Sequence, residues 1–173
     1  MMRFSGFRYI VALLIAVVLG MVGFSGGVAS GNTAGWAIAQ TLSELPPAAV
    51  PMRSYRSPTC SCCGRWVEHM QDAGFQVDDR IAEDMEAVKQ ELGVPTDLAS
   101  CHTAVVGGYV IEGHVPATDV QRLLAERPNV AGLAAPGMPV GSPGMETGDT
   151  AQPYTIYSFT AAGDVAVFQE HSS

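Results

Sequence analysis

The sequence predicts an α/β domain whose core runs β-α-β-α-β-β-α, followed by a Gly/Pro-rich loop and a C-terminal β-hairpin. Three observations carry this. Apolar residues recur at helical spacing in three segments, strand-like runs separate them, and Gly107-Gly108 divides "HTAVVGGYVIEGHV" into two apolar halves. The 173 residues suit one domain plus a targeting segment, and 47% apolar content is enough for a core.

The N-terminus comes first. Met1 to Tyr9 carries Arg3 and Arg8 and no acid, Ile10 to Val22 is uncharged and apolar, and Ala37-Ile-Ala39 before Gln40 has the small-x-small form of a signal-peptidase site. Residues 1–39 are read as an export signal, which places the protein in the periplasm or another exported compartment. The alternative is an uncleaved N-terminal anchor, because small residues could extend the apolar run toward spanning length. The arginines are not adjacent, so a twin-arginine signal is not indicated. Cleavage takes the formal charge from −8 to −10, since Arg3 and Arg8 are the only charged residues before Gln40. Such an anionic domain is a poor partner for phosphate backbones or anionic lipid, and no basic, aromatic-rich strand argues for nucleic acid. A membrane partner follows only if the N-terminal segment stays. Acidity suits a cation or a basic partner, and equally it suits simple solubility.

Residues 40–51, with "TLSELPPAAVP", read as a proline-rich tether, and 52–173 as the folded domain, of which 128–173 extends the core. "MRSYRS" is a strand ended by Pro58, which holds Ser57 extended. "CCGRWVEHMQDAG" sets Cys63, Trp66, Val67, Met70 and Gly74 on a helical stripe closing on a C-cap glycine. "FQVDDRIA" is a second strand. "EDMEAVKQELGVP" has acids in its first turn, Met85, Val88 and Leu92 on one face, and Gly93 and Pro95 as stop signals, which predicts a second helix. After the Gly-Gly hairpin, "PATDVQRLLAERP" opens on Pro116 and turns Val120, Leu123 and Leu124 inward as a third helix. "PNVAGLAAPGMPVGSPGMETGDTAQP" reads as loop, and "YTIYSFTAAGDVAVFQE" as a hairpin turning at Ala162-Gly-Asp164.

This order, with Cys-x-x-Cys between the first strand and first helix, resembles the thioredoxin or glutaredoxin arrangement over Met52 to Arg127. "SPTCSCCG" therefore sits at a helix mouth, where the dipole and unpaired amides favour thiolate. Cys60 and Cys63 share a helix face, so together they bind one metal or form one disulfide. Cys62 is displaced by about 200° from Cys60 and about 100° from Cys63 on an ideal helix, so it joins a multinuclear site only if the turn is irregular. Stable disulfides, with Cys60 paired to Cys63 and Cys62 to Cys101, stay open for an exported protein. Three cysteines so close would make poor staples.

The second chemical element is "SCHT", Ser100 to Thr103. In thioredoxin-like folds a cis-proline typically opens the third strand, facing the Cys-x-x-Cys and keeping metal off it; here His102 aligns with that position, beside Cys101. Thiolate and imidazole are ligands for Cu(I) or Zn. Neighbours in a regular strand point to opposite faces, so both reach one site only from the loop before the strand.

The remaining candidates are weaker. His69 lies nearly in line with Cys62 but two turns away, roughly 10 Å, and reads as a surface histidine. His114, in "IEGHVP", suits a structural or outer-sphere hydrogen bond better than ligation. Met138 and Met145, in "PGMPVGSPGM", offer soft thioethers suited to Cu(I), though methionine as loop packing is the plainer reading. Trp66 belongs to the core.

"SPTCSCCGRWVEHM", "LASCHTAVVGGYVIEGHVPATDVQRLL" and "GLAAPGMPVGSPGME" closely resemble the periplasmic CopG-type copper-resistance proteins, a thioredoxin-like metal-binding family. The resemblance spans most of the mature chain. It implies a periplasmic protein holding Cu(I) at Cys60, Cys63 and Cys101, with His102 as a further ligand; the role of Cys62 does not carry over with it. A multinuclear copper site is compatible with it, and Zn fits the soft donor set less well. The function expected is copper binding in resistance or homeostasis, with delivery to a copper exporter or a periplasmic copper chaperone. A copper oxidoreductase interconverting Cu(I) and Cu(II), and a thiol-disulfide oxidoreductase in which Cys60 attacks and Cys63 resolves, remain the alternatives.

Overall fold

A computed structural model of the chain describes residues 49–148 and 151–172. The expected export signal and residues 40–48 of the tether lie outside the described residues. Among the described residues no helix is long and apolar enough to cross a membrane.

The elements are β1 (Val50–Arg56), α1 (Ser61–Asp72), β2 (Phe75–Ile81), α2 (Met85–Glu91), a 3-10 turn (Thr96–Leu98), β3 (His102–Val106), β4 (Tyr109–Gly113), α3 (Ala117–Glu126), β5 (Gly132–Ala135), β6 (Tyr154–Phe159) and β7 (Val165–His171). One seven-stranded sheet runs in the order β2-β1-β3-β4-β5-β6-β7. Its first half is the thioredoxin-like arrangement: β1 pairs parallel to β2, as a strand-helix-strand crossover dictates, and antiparallel to β3, which pairs antiparallel to β4. Gly107 and Gly108 both have positive φ, 57° and 89°, the backbone that a two-residue hairpin needs.

β1 begins at Val50, two residues inside the segment expected to be tether. Pro51 is accommodated because pairing with β3 starts only at Met52, so its missing N–H breaks no ladder bond on that side.

α1 buries Cys63, Trp66, Val67 and Met70, the i, i+3, i+4, i+7 stripe expected of it. Trp66, Val67 and Met70 pack with Ile111, Val115, Leu123, Leu133 and Ile156 into the main core. Trp66 carries a polar atom inside, and its indole N–H donates to Val115 O at 2.9 Å. In α3, Val120 and Leu123 are buried and Leu124 packs partly buried against the same core.

Two elements depart from expectation. In α2 the expected apolar face, Met85, Val88 and Leu92, is only half-buried, while Lys89 is buried. Its apolar stem lies inside and its ammonium meets Glu112. β5 lies where the sequence reads as loop. "GLAA" is buried on both faces between β4, its parallel partner, and β6, its antiparallel one, so it shows no alternation, and its small residues sit among Gly and Pro. The C-terminal hairpin β6–β7 forms as expected and joins the sheet through β5.

Candidate metal centre

The helix mouth is built by residues that do not cap it. Cys60 is the N-cap of α1, with φ −83° and ψ 94°, makes no side-chain cap bond, and no acid occupies the first turn. Cys60 and Cys63 form a disulfide with Cα atoms 5.5 Å apart, whereas Cys62 and Cys101 are free. Because Cys60 lies outside helical geometry, the rotation that would carry Cys62 away does not apply, and their sulfurs are 3.5 Å apart. This is the irregular turn that admits Cys62.

Cys101 reaches the same spot from the opposite side. It sits in a bend just before β3, and His102 is the first residue of the strand, so strand alternation does not separate them. Cys101 Sγ lies 4.0 Å from Cys62 Sγ, 3.4 Å from His102 Nδ1 and 3.1 Å from His114 Nε2. No cis peptide occurs among the described residues, so His102 takes the strand-opening place with a trans bond. His102 is fully buried, with its ring centroid 4.4 Å from that of Trp66 and 4.9 Å from that of His114. Its Nε2 is buried without a hydrogen-bond partner.

His114, expected to suit a structural or outer-sphere hydrogen bond better than ligation, makes hydrogen bonds on both ring nitrogens. Its Nδ1–H donates to Pro143 O at 2.8 Å, which leaves Nε2 as the acceptor facing Cys101. Gly113, at φ 72°, ends β4 immediately before it. His69 is half-buried, and its Nε2 accepts the backbone N–H of Ala117, satisfying an otherwise orphaned donor at the start of α3. It is a capping group and not the surface histidine expected.

The "PGMPVGSPGM" loop closes one side of the centre. Gly144 (φ 83°) packs on the first turn of α1 so closely that a Cβ there would stand 2.7 Å from Cys62 O and 2.9 Å from Trp66 N. Arg65 Nε and an Nη both donate to Gly144 O, at 3.0 and 2.7 Å. Met145 is half-buried and Met138 is 55% exposed.

Burial sets the electrostatics. It pushes the Cys101 thiol up to about 11, helped by charge on nearby Cys62. Burial also holds His102 well below the usual imidazole range, aided by His114 and Lys89, and lowers His114. Both imidazoles are therefore neutral donors at pH 7, and a metal binding Cys101 must displace its proton.

The donors form two groups: Cys60, Cys62, Cys63 and Cys101, then Cys101, His102 and His114, with the donor atoms of each group within 4.8 Å of one another. Two donors on one ion at bonds of about 2.3 Å stand no more than about 4.6 Å apart, so small side-chain adjustments suffice. Sulfur and imidazole donors favour soft or borderline ions, and no carboxylate enters either group.

A family model described as "Protein of unknown function, DUF411" matches residues 98–145, the stretch from the 3-10 turn through the second Pro-Gly-Met. No curated protein matches the chain. Two solved structures do. The one described as "Copper resistance protein copG- Form 2" is 45% identical, with a TM-score of 0.68, 71% of this chain covered and 98% of that one. The one described as "Copper resistance protein copG- Form 1" is 44% identical, with a TM-score of 0.69 and coverage of 72% and 99%. With nearly the whole of each relative matched at this identity over a similar fold, the chain belongs to the CopG family of copper-resistance proteins.

Proposed function

We propose that this chain binds Cu(I) in an exported compartment, the periplasm, as part of copper resistance or homeostasis. Cys60, Cys63, Cys101 and His102 are its ligands, and Cys62 and His114 join them. The observation that carries this reading is the position of Cys101, whose sulfur belongs to both donor groups. A thiolate can bridge two ions, so the arrangement suits a multinuclear Cu(I) site more than a single tetrahedral Zn. Reduction of the Cys60–Cys63 disulfide by a thiol donor, with two electrons and two protons, precedes full loading. Residues 1–39 are the export signal and 40–49 the tether leading into β1, and an exporter or a periplasmic copper chaperone takes the ion onward.

A second reading, copper oxidoreductase, draws on the disulfide lying 3.5 Å from the free Cys62 sulfur. Two Cu(I) oxidised to Cu(II) release the two electrons that, with two protons, convert that disulfide to two thiols.

The deciding experiment is an anaerobic Cu(I) titration of reduced protein against a competing chelator, with metal analysis and a parallel insulin-reduction assay. Tight binding of one or more equivalents without insulin reduction is expected. Weak copper binding with active disulfide exchange would make the centre a protein thiol-disulfide switch. Copper turnover with an electron donor, followed by the appearance of the Cu(II) spin signal, would select the second reading.

A further inference from the structure

We propose that Glu112 is a positioning residue for the metal centre: its buried carboxylate clamps the two residues that bracket Cys101-His102 and so fixes where their donor atoms stand. Glu112, on β4, is fully buried. Its Oε1 accepts from the backbone N–H of Ser100 at 2.6 Å and from Lys89 Nζ at 2.5 Å. Its Oε2 accepts from Thr103 Oγ1 at 2.6 Å, and Lys89 Nζ also donates to Thr103 Oγ1 at 3.0 Å. Ser100 and Thr103 are the immediate neighbours of Cys101 and His102, so one side chain holds both ends of the ligand pair.

The two ends differ in what else secures them. Thr103 is set by the β3–β4 ladder, where it stands opposite Glu112. Ser100 lies outside any named strand; besides the carboxylate, its hydroxyl donates to Gly137 O of the next loop and lies 3.9 Å from Cys101 Sγ. Gly113 permits the close approach: a Cβ there would collide with the Ser100 side chain and stand 2.7 Å from Ala135 O.

Only an ionised carboxylate accepts three such bonds at once without offering a donor of its own, and Lys89 supplies the compensating charge. A buried ion pair contributes little to stability compared with well-packed apolar residues of similar volume, so stability alone is a weak reason to place one behind Cys101-His102. The consequence for copper rests on the Cu(I) reading above, whereas the clamp itself rests on the geometry.

The test compares the reduced full chain with two double variants, Lys89→Met/Glu112→Leu and Lys89→Met/Glu112→Gln. The first removes the pair but keeps the volume apolar. The second keeps an amide oxygen that can still accept from Ser100. In the metal-free apolar variant, folded with a wild-type or higher Tm, hydrogen exchange at the Ser100 amide should accelerate about tenfold or more, and its Cu(I) Kd should rise about ten- to a hundredfold. The Gln variant should recover most of both. A folded apolar variant with Cu(I) affinity and Ser100 exchange within about threefold of wild type overturns the clamp. If the apolar variant does not fold, wild type alone decides: Ser100 amide exchange in the metal-free reduced protein within about threefold of the unstructured-chain rate overturns the clamp. Failure of the wild type to bind Cu(I) would strike the copper reading instead, while Ser100 exchange, measured without metal, still judges the clamp.

Discussion

Cys101 Sγ and His114 Nε2 stand 3.1 Å apart although 13 residues separate them in the chain, and the other ring nitrogen of His114 is committed to Pro143 O. One side chain thus joins the bend at Cys101 to the Pro-Gly-Met loop. His114→Ala should weaken Cu(I) binding about tenfold or more. It should also cost about 1–3 kcal/mol, because Pro143 O and the Cys101 thiol lose their partner. Chelator competition and urea denaturation measure the two effects. Unaltered copper affinity and stoichiometry would return His114 to a purely structural role.

The helix-mouth pair is tested by Cys60→Ser/Cys63→Ser against reduced wild type, a comparison in which neither protein carries the disulfide. The variant should remain folded and lose Cu(I) affinity by more than the roughly hundredfold that loss of an outer-sphere partner reaches. Unchanged copper stoichiometry in the folded variant would move the site away from this mouth. Against oxidised wild type, the variant should also lack the roughly 2 kcal/mol that closing so short a loop contributes through chain entropy.

The shifted groups define a pH window. Cys101 has its folded pKa raised from 9.0 to about 11, so its contribution to stability is complete below 9.0 and is lost as pH rises through about 11. His102 is depressed below 6.5, so its contribution is present above 6.5 and is lost as pH falls through its folded value. Metal-free reduced protein should therefore show a stability plateau between these limits. Denaturation midpoints across the range measure it, and Cys101→Ala should flatten the alkaline limb. An alkaline limb unchanged in that variant would assign the loss to another group. Alkylation of Cys101 should likewise accelerate with pH up to about 11.

Gly144→Ala probes the loop that closes the centre. Positive φ together with contacts at 2.7 and 2.9 Å to the α1 backbone force the loop to shift, at a cost of about 1–3 kcal/mol. Cys62, whose carbonyl is one of those contacts, should then be alkylated faster in reduced protein. A variant as stable as wild type with unchanged Cys62 reactivity would show that the loop does not guard this cysteine.

Much of this was legible in the sequence because it rests on periodicity and turn chemistry. The Cys63-Trp66-Val67-Met70 stripe and the Gly107-Gly108 hairpin are local signals. β5 was not legible, since a strand buried on both faces by four small residues carries no alternation. Lys89 was hidden because its partner Glu112 lies 23 residues away. The meeting of Cys62 with Cys60 depends on the N-cap dihedrals of Cys60, which helical spacing does not encode. The meeting of His114 with Cys101 depends on the paired strands β3 and β4 returning the chain beside its own start. The one available hint was a glycine just before the histidine, at the end of an apolar run.

Cys60 leaves the first turn of α1 with neither a side-chain cap nor an acid. In a chain of net charge −8, each thiol proton displaced there adds to an already negative molecule. The exposed helix end carries about half a positive charge, fixed in the backbone. In the proposed Cu(I)-loaded protein it would serve as a built-in counter-ion for an anionic copper-thiolate assembly, while Arg65, on the same end of α1, is engaged by Gly144 O. Such a counter-ion does not titrate, so the affinity it lends persists at any pH at which the thiolates themselves survive.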